Sequence, residues 1–289
     1  MAARPDEPVP RSYLYVPADQ PDKLAKAPRS GADALILDLE DAVAAAAKAA
    51  AREQARTFLV SAEAGQGPQL WVRVNADTLE EDVGAVAVPG LRGVMVPKAE
   101  PALLARADAA LGASEQAHGL PAGTFAILAL IESAVGVLRA EEVALAPRVV
   151  RLGLGEADLA GELAIRPGPA REELWPIRSR IVLASAAAGL LAPVGPTDTA
   201  VRDTGPLRET TEILLRQGFR ARTAISPRQI PTINEVFTPA PEEVEAARDL
   251  LDRLAEAERN GRGVAVDRAG RLIDPAVARS AREVLGRAR

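Results

Sequence analysis

The chain has 289 residues, 48% of them hydrophobic and 26% charged, and a formal net charge of -5, which suits one large or two average domains and excludes a disordered or collagen-like protein. Net negative charge with only 3% aromatic residues argues against a grip on nucleic acid or on an anionic membrane. With no cysteine and a single histidine, His118, there can be no disulfide, no thiolate nucleophile, no Cys-ligated zinc and no multi-histidine metal centre.

Chemistry must therefore rest on carboxylates, arginines, hydroxyls and the four lysines, Lys23, Lys26, Lys48 and Lys98. The opening segment MAARPDEPVP reads as loose and lacks a secretory apolar run. No stretch reaches the ~18 apolar residues of a membrane span, so a cytoplasmic location is expected.

Short apolar runs rich in β-branched residues then recur in chain order: SYLYVP at 12–17, ALILDLE at 34–40, LWVRVN at 70–75, GVMVPKA at 93–99, FAILALIE at 125–132, VVRLGLGE at 149–156, LLAPVGP at 190–196 and ARTAISP at 221–227. Amphipathic stretches such as KAAAREQARTFL, PALLARADAALG and PLRETTEILLRQG separate them, and SAEAGQGPQ reads as a loose connector. Near-continuous apolar strands belong to a parallel sheet covered on both faces, and about eight strand–helix units match a (β/α)8 TIM barrel. An open doubly wound sheet would carry a glycine-rich turn after its first strand, where YVPADQPDK has none. The barrel is expected over 1–238. Residues 239–289 read as a helical extension: PEEVEAARDLLDRLAEAERNG ending at Gly261, a hairpin turning at Asp267–Gly270, and a last helix AVARSAREVLGRAR.

In such a barrel the C-terminal strand ends converge on one mouth. Those ends carry Asp38, Glu40 and Asp41, then Arg73 and Asn75, Lys98, Glu132 and Ser133, Glu156 and Asp158, and Ser226. Several carboxylates without histidine point to a hard divalent cation such as Mg2+. Asp158 and Ser133 read equally well as helix N-caps. Lys98 fits either a Schiff-base lysine or, better, an ion pair at the mouth. Lys48 and Arg52 read as solvated like charges on one helix face, and Lys23 and Lys26 as solvated helical residues. His118 lies in a turn-rich connector on the opposite side of the next strand, away from any chemistry.

Together, RSYLYVPADQPDKLAKA, ALILDLEDAV, VRVN (72–75), VMVPKAE (94–100), ALIESAVG (129–136), LGLGEADL (152–159), ISPRQI (225–230) and GRLIDPAVARSA (270–281) resemble, in the same order, the citrate lyase β-subunit-like branch of the HpcH/HpaI aldolase family, related to malyl-CoA and citramalyl-CoA lyases. The resemblance implies a Mg2+-dependent carbon–carbon lyase acting on a short β-hydroxyacyl-CoA thioester and an α-keto acid. It places the metal on Glu132 and Asp158, and it gives Arg73 contact with the keto acid and the developing oxyanion. Asp274 of the lid motif becomes a general acid/base reaching into a neighbouring subunit of a trimer or hexamer. Asp38, Glu40, Asp41 and Lys98 then stand behind these groups, holding metal-bound waters or the contacting residues themselves.

Two positions depart from the family pattern: Ala157 stands where a glutamate is usual, and Ser226 where a histidine is usual. The stretch between Asp198 and Leu207 also looks shortened. Alternatives within reach are a citryl-carrier-protein lyase subunit, a non-catalytic homologue, and a CoA-free keto acid aldolase, the last disfavoured by the lid motif. No glycine-rich loop marks a nucleotide, and Arg11 is one candidate partner for it.

Overall fold

The structure, a computed structural model, describes residues 8–62, 67–200, 205–261, 265–267 and 270–288. Most of the loose N-terminal segment, part of the 61–69 connector, residues 201–204 of the shortened stretch and residues 268–269 of the expected hairpin turn lie outside them. Eight parallel strands close into a barrel in sequence order: β1 Ser12–Pro17, β2 Ala34–Asp38, β3 Gln69–Arg73, β4 Gly93–Val96, β5 Ala126–Ile131, β6 Val149–Leu154, β7 Leu191–Gly195 and β8 Ala221–Ala224. The helices in chain order are α1 Pro21–Lys26, α2 Lys48–Ser61, α3 Leu79–Val86, α4 Pro101–Ala117, α5 Ala134–Leu138, α6 Ala140–Ala144, α7 Glu156–Glu162, α8 Trp175–Ala187, α9 Gly205–Arg216 and α10 Ile230–Phe237. Alternation of strand and helix around a closed parallel sheet makes this a (β/α)8 TIM barrel.

Strand pairing decides which residues share the interior. Tyr13 pairs with Ala34 and Tyr15 with Ile36; Ile36 then pairs with Trp71 and Asp38 with Arg73. Because side chains alternate with period two, Tyr13 and Tyr15, Ala34 and Ile36, Trp71, Met95, and Ala126, Leu128 and Leu130 all point into one packed core. Its floor is an edge-to-face pair, Tyr13 and Trp71, with centroids 6.3 Å apart. Gly93 lets the indole in, since a Cβ there would lie 2.8 Å from the Trp71 ring. Continuing the same parity upward, the next inward positions are Asp38, Arg73 and Glu132. The core alternation therefore delivers three charged residues to the C-terminal mouth.

The chain falls into two compact units, Met1–Asn234 and Glu235–Arg289, divided within α10 where the sequence pattern suggested a break at 238. The second unit contains α11 Pro241–Arg259, a two-stranded antiparallel ladder of β9 Ala265–Val266 and β10 Leu272–Ile273, and α12 Pro275–Arg287. Gly261, at φ 71°, follows the Asn260 C-cap and stops α11. Asp274 is the N-cap of α12, where its Oδ1 accepts from the N–H groups of Ala276 and Val277 at 2.8 and 2.9 Å.

Candidate active site

A cavity of about 920 Å³ opens at the C-terminal mouth of the barrel, within the size range of small-molecule sites. Arg73 stands in its wall as the last residue of β3. Its Nε and Nη2 donate to the two oxygens of Asp38 at 2.7 and 2.6 Å, a planar bidentate pairing that fixes the guanidinium. Nη1 lies 2.6 Å from Glu40 Oε2 and donates to Asp41 Oδ2 at 3.1 Å. The three acidic residues of LDLED thus surround one arginine. Burial would lower its pKa, but the hydrogen bonds to Asp38 and the charges of Asp38 and Glu40 outweigh this and hold the guanidinium well above its usual value, so it stays charged throughout. Glu40 behaves differently: burial pushes its carboxyl up to about 7, and Arg73 offsets this only in part. Its Oε2 is buried and lacks an aligned hydrogen bond.

Glu132 follows β5 and is 6% exposed. Among the described residues it accepts a single hydrogen bond, from the backbone N–H of Lys98 at 2.9 Å. Lys98 adopts φ 46°, a left-handed conformation unusual for a lysine, and this turn aims its N–H at the carboxylate. From the other side Gly155 makes room: a Cβ there would meet Glu132 Cβ at 2.6 Å and Oε2 at 2.8 Å. Burial, with the nearby charges of Glu40 and Asp158, raises the Glu132 carboxyl to about 7 against the Lys98 N–H and Arg73. Asp158 sits in the first turn of α7, exposed and lining the same cavity. A buried carboxylate short of donors beside a second carboxylate suits a hard divalent cation, which takes oxygen ligands, often one or two carboxylates, and retains waters. Among the described residues no third acidic or histidine side chain joins them.

A brace lies behind these groups. Lys48 Nζ donates to the carbonyls of Leu39 and Glu40 at 2.8 and 3.0 Å and to Asn75 Oδ1 at 2.5 Å. Asn75 Nδ2 donates to Leu39 O and to Asp82 Oδ2, while Asp82 also accepts from Asn75 N and Arg52 Nε. Lys48 and Arg52 are therefore not solvated like charges, as helical spacing suggested. Each faces inward to polar groups on β2 and β3 exits and on α3. The signal that could have found them is the pairing of their positions with Asn75 and Asp82, which periodicity along one helix does not contain.

Other sequence expectations change on folding. Lys98 makes no ion pair among the described residues; its side chain is exposed and its contribution is the backbone N–H. Arg11 precedes β1, at the closed end of the barrel away from the cavity, and pairs with Asp33 through Nε at 2.8 Å and Nη2 at 3.0 Å. Glu156 is locked by Arg178 and Arg171 and takes no part in a cation site. Ser133 does cap α5, accepting from Gly136 N at 3.0 Å, whereas Asp158 lies inside α7, whose N-cap is Gly155. Ser226 caps the short turn after β8 by accepting from Arg228 N. Lys23 and Lys26 are exposed, as read from the sequence, and with Arg29, which was not singled out, they line the cavity without an acidic partner among the described residues. A hydroxyl pair, Thr197 and Thr223 at 2.7 Å, lines another.

No helix among the described residues is long and apolar enough to cross a membrane. The HpcH/HpaI aldolase/citrate lyase family model matches residues 11–227. A citrate lyase subunit beta from Leuconostoc mesenteroides subsp. cremoris is 31% identical over 95% of this chain and 92% of its own length. A (3S)-malyl-CoA thioesterase from Cereibacter sphaeroides is 36% identical over 96% and 94%. Among solved structures, CitE from Mycobacterium tuberculosis in complex with magnesium, acetoacetate and coenzyme A is similar with TM-score 0.74 and 31% identity, over 96% of this chain and 97% of that one. The citrate lyase beta subunit from the same organism, complexed with oxaloacetate and magnesium, gives TM-score 0.64 at 31% identity over 79% and 97%. With the barrel, the acid-ringed arginine and the motifs in order, the chain belongs to the HpcH/HpaI aldolase/citrate lyase family.

Proposed function

We propose that the protein is a Mg2+-dependent carbon–carbon lyase or synthase that interconverts a short β-hydroxyacyl-CoA thioester, such as citramalyl-CoA, malyl-CoA or a citryl thioester, with an acyl-CoA and an α-keto acid. The observation that carries this reading is the convergence of Arg73, Glu132 and Asp158 on one cavity whose lining also includes Lys23, Lys26 and Arg29. The first three suit an α-keto acid and a divalent cation, and the three cations suit the phosphates of a nucleotide-bearing thioester.

Glu132 and Asp158 would hold the metal, which when bound supplies Lewis-acid stabilisation of negative oxygen. Arg73 pairs its remaining in-plane donors with the substrate carboxylate and with the oxygen on which charge develops. In cleavage the hydroxyl proton passes to a base, the C–O bond becomes C=O, and the carbon–carbon bond breaks. Its electrons move into the thioester as an enolate, which is then protonated at carbon. Asp274 of a neighbouring copy is proposed as that acid/base within a homo-oligomer. Its Oδ1 is spent on capping α12, which leaves Oδ2 for proton transfer.

The malyl-CoA thioesterase relative favours a second reading, hydrolysis of the same kind of thioester by the same groups. One experiment separates them: malyl-CoA and citramalyl-CoA are incubated with Mg2+ or EDTA, and α-keto acid, acyl-CoA and free thiol are followed together. Mg2+-dependent keto acid and acyl-CoA in equal amounts are expected. Free thiol without keto acid would replace the lyase reading by the hydrolytic one, and no turnover of either thioester would overturn both.

A further inference from the structure

Arg73 is held by carboxylates on two edges, and a third contact places it over an aromatic ring. The guanidinium carbon lies 4.9 Å from the centroid of the Tyr15 ring, which lines the same cavity. Tyr15 is itself fixed: it is inward-facing on β1, packed against the barrel core, and its hydroxyl donates to Met95 Sδ at 3.1 Å. Burial, with Asp38, Glu132 and Glu40 nearby, raises its phenol well above the usual range, so the ring is neutral. A neutral aromatic face attracts a cation without accepting an N–H, so stacking orients the guanidinium while consuming none of its donors. By contrast, a carboxylate on that face would have competed with a bound anion for the same hydrogens.

We infer that Tyr15 is a positioning residue for Arg73: its ring sets the plane in which the guanidinium meets the carboxylate of an incoming α-keto acid. The inference deepens the function proposed above and rests on it for the identity of the ligand. Placement of the arginine, however, is a property of the free protein.

The test uses the full chain and four variants, Tyr15→Phe, Tyr15→Leu, Arg73→Ala and the double variant Tyr15→Leu/Arg73→Ala, each shown by thermal melting to be folded. Calorimetric titration with oxaloacetate in Mg2+ should give Tyr15→Phe within about twofold of the parent, because the ring face remains. Tyr15→Leu should weaken binding about 5–30-fold, the range of a partly desolvated cation–π contact. In the Arg73→Ala background the same change should cost less than about twofold. An equal loss in both backgrounds would show that Tyr15 acts through cavity shape and overturns the inference, as would unaltered binding by Tyr15→Leu. A crystal structure of ligand-free Tyr15→Leu provides the arm that needs no substrate. The guanidinium is expected to turn out of its present plane, and an unmoved Arg73 still paired bidentately with Asp38 would overturn the inference. Failure of the parent to bind any α-keto acid would count against the proposed function and leave the crystallographic arm to decide this one.

Discussion

Glu115 and Glu132 are buried glutamates at opposite ends of the barrel, 2% and 6% exposed, and their carboxyls shift in opposite directions. At the closed end burial pushes Glu115 up, but Arg148 and the N–H groups of Phe125 and Gly123 outweigh it and hold the carboxyl below its ordinary value. Both its oxygens are occupied: Oε1 by Arg148 Nη1 at 2.6 Å and Phe125 N at 3.0 Å, Oε2 by Arg148 Nη2 and Gly123 N, each at 2.9 Å. At the mouth, Glu132 has one backbone donor and two acidic neighbours. Both carboxyls are buried from solvent; the supply of donors and the charge of the neighbours differ. A buried carboxylate with its donors complete holds the fold together, and one left short of them is equipped to take a cation.

The largest test of that difference exchanges each glutamate in turn. Glu132→Gln should abolish most metal-dependent turnover, a loss on the order of 10³-fold if several kcal/mol of charge stabilisation go with the ligand. It should leave the thermal midpoint unchanged or raised. Glu115→Gln should do the reverse, keeping turnover while destabilising the chain by about 1–3 kcal/mol, since Arg148 loses its buried carboxylate and keeps only Asp108 and the Phe125 carbonyl. Melting curves and turnover measured on both variants check this, and a stability loss at Glu132 as large as at Glu115 would break the contrast.

A smaller effect is expected at Gly155→Ala. The added Cβ would displace the Glu132 carboxylate, and Mg2+ affinity by calorimetry should fall about 10–100-fold, the scale seen when groups behind a metal ligand are disturbed.

The smallest concerns Glu40. Because its folded pKa of about 7 exceeds the ordinary 4.5, the native state binds the extra proton between those values, and stability falls as pH rises through that window. Glu40→Gln should therefore gain thermal stability over the parent progressively from about pH 4.5 to 7 and hold a constant advantage above. A pH series of melting curves with no such growing gap would show that Arg73 fully compensates the buried charge.

Much of this was legible from residue order. Alternation of apolar strands and helices announced the barrel, and strand parity carried Asp38, Arg73 and Glu132 to one end. The apolar runs overshot the strands at their C-terminal ends: 34–40 shortens to Ala34–Asp38 and 93–99 to Gly93–Val96. The excess is the rim, where polar atoms leave the ladder to face the cavity. What sequence could not supply were partners distant along the chain. Lys48 and Arg52 looked solvated because nothing on their own helix revealed Asn75 and Asp82 beneath them. Lys98 looked like a side-chain actor because a left-handed backbone cannot be seen in a residue name. Arg11 reads as a nucleotide partner because a basic residue near a strand start gives no hint that Asp33 claims it.

The Lys48–Asn75–Asp82–Arg52 brace has a consequence for how such an enzyme can change. It welds the exits of β2 and β3 to α2 and α3, so Asp38 and Arg73 form a unit that no single substitution can re-aim without breaking several bonds at once. After β6 and β7 the braces hold Glu156, through Arg178 and Arg171, and Asp198, through Arg222 and Gln229, and leave their neighbours Ala157 and Thr199 exposed on the cavity wall. Selection, or a designer, seeking a new acyl group would find Asp38 and Arg73 closed to tinkering and Ala157 and Thr199 open.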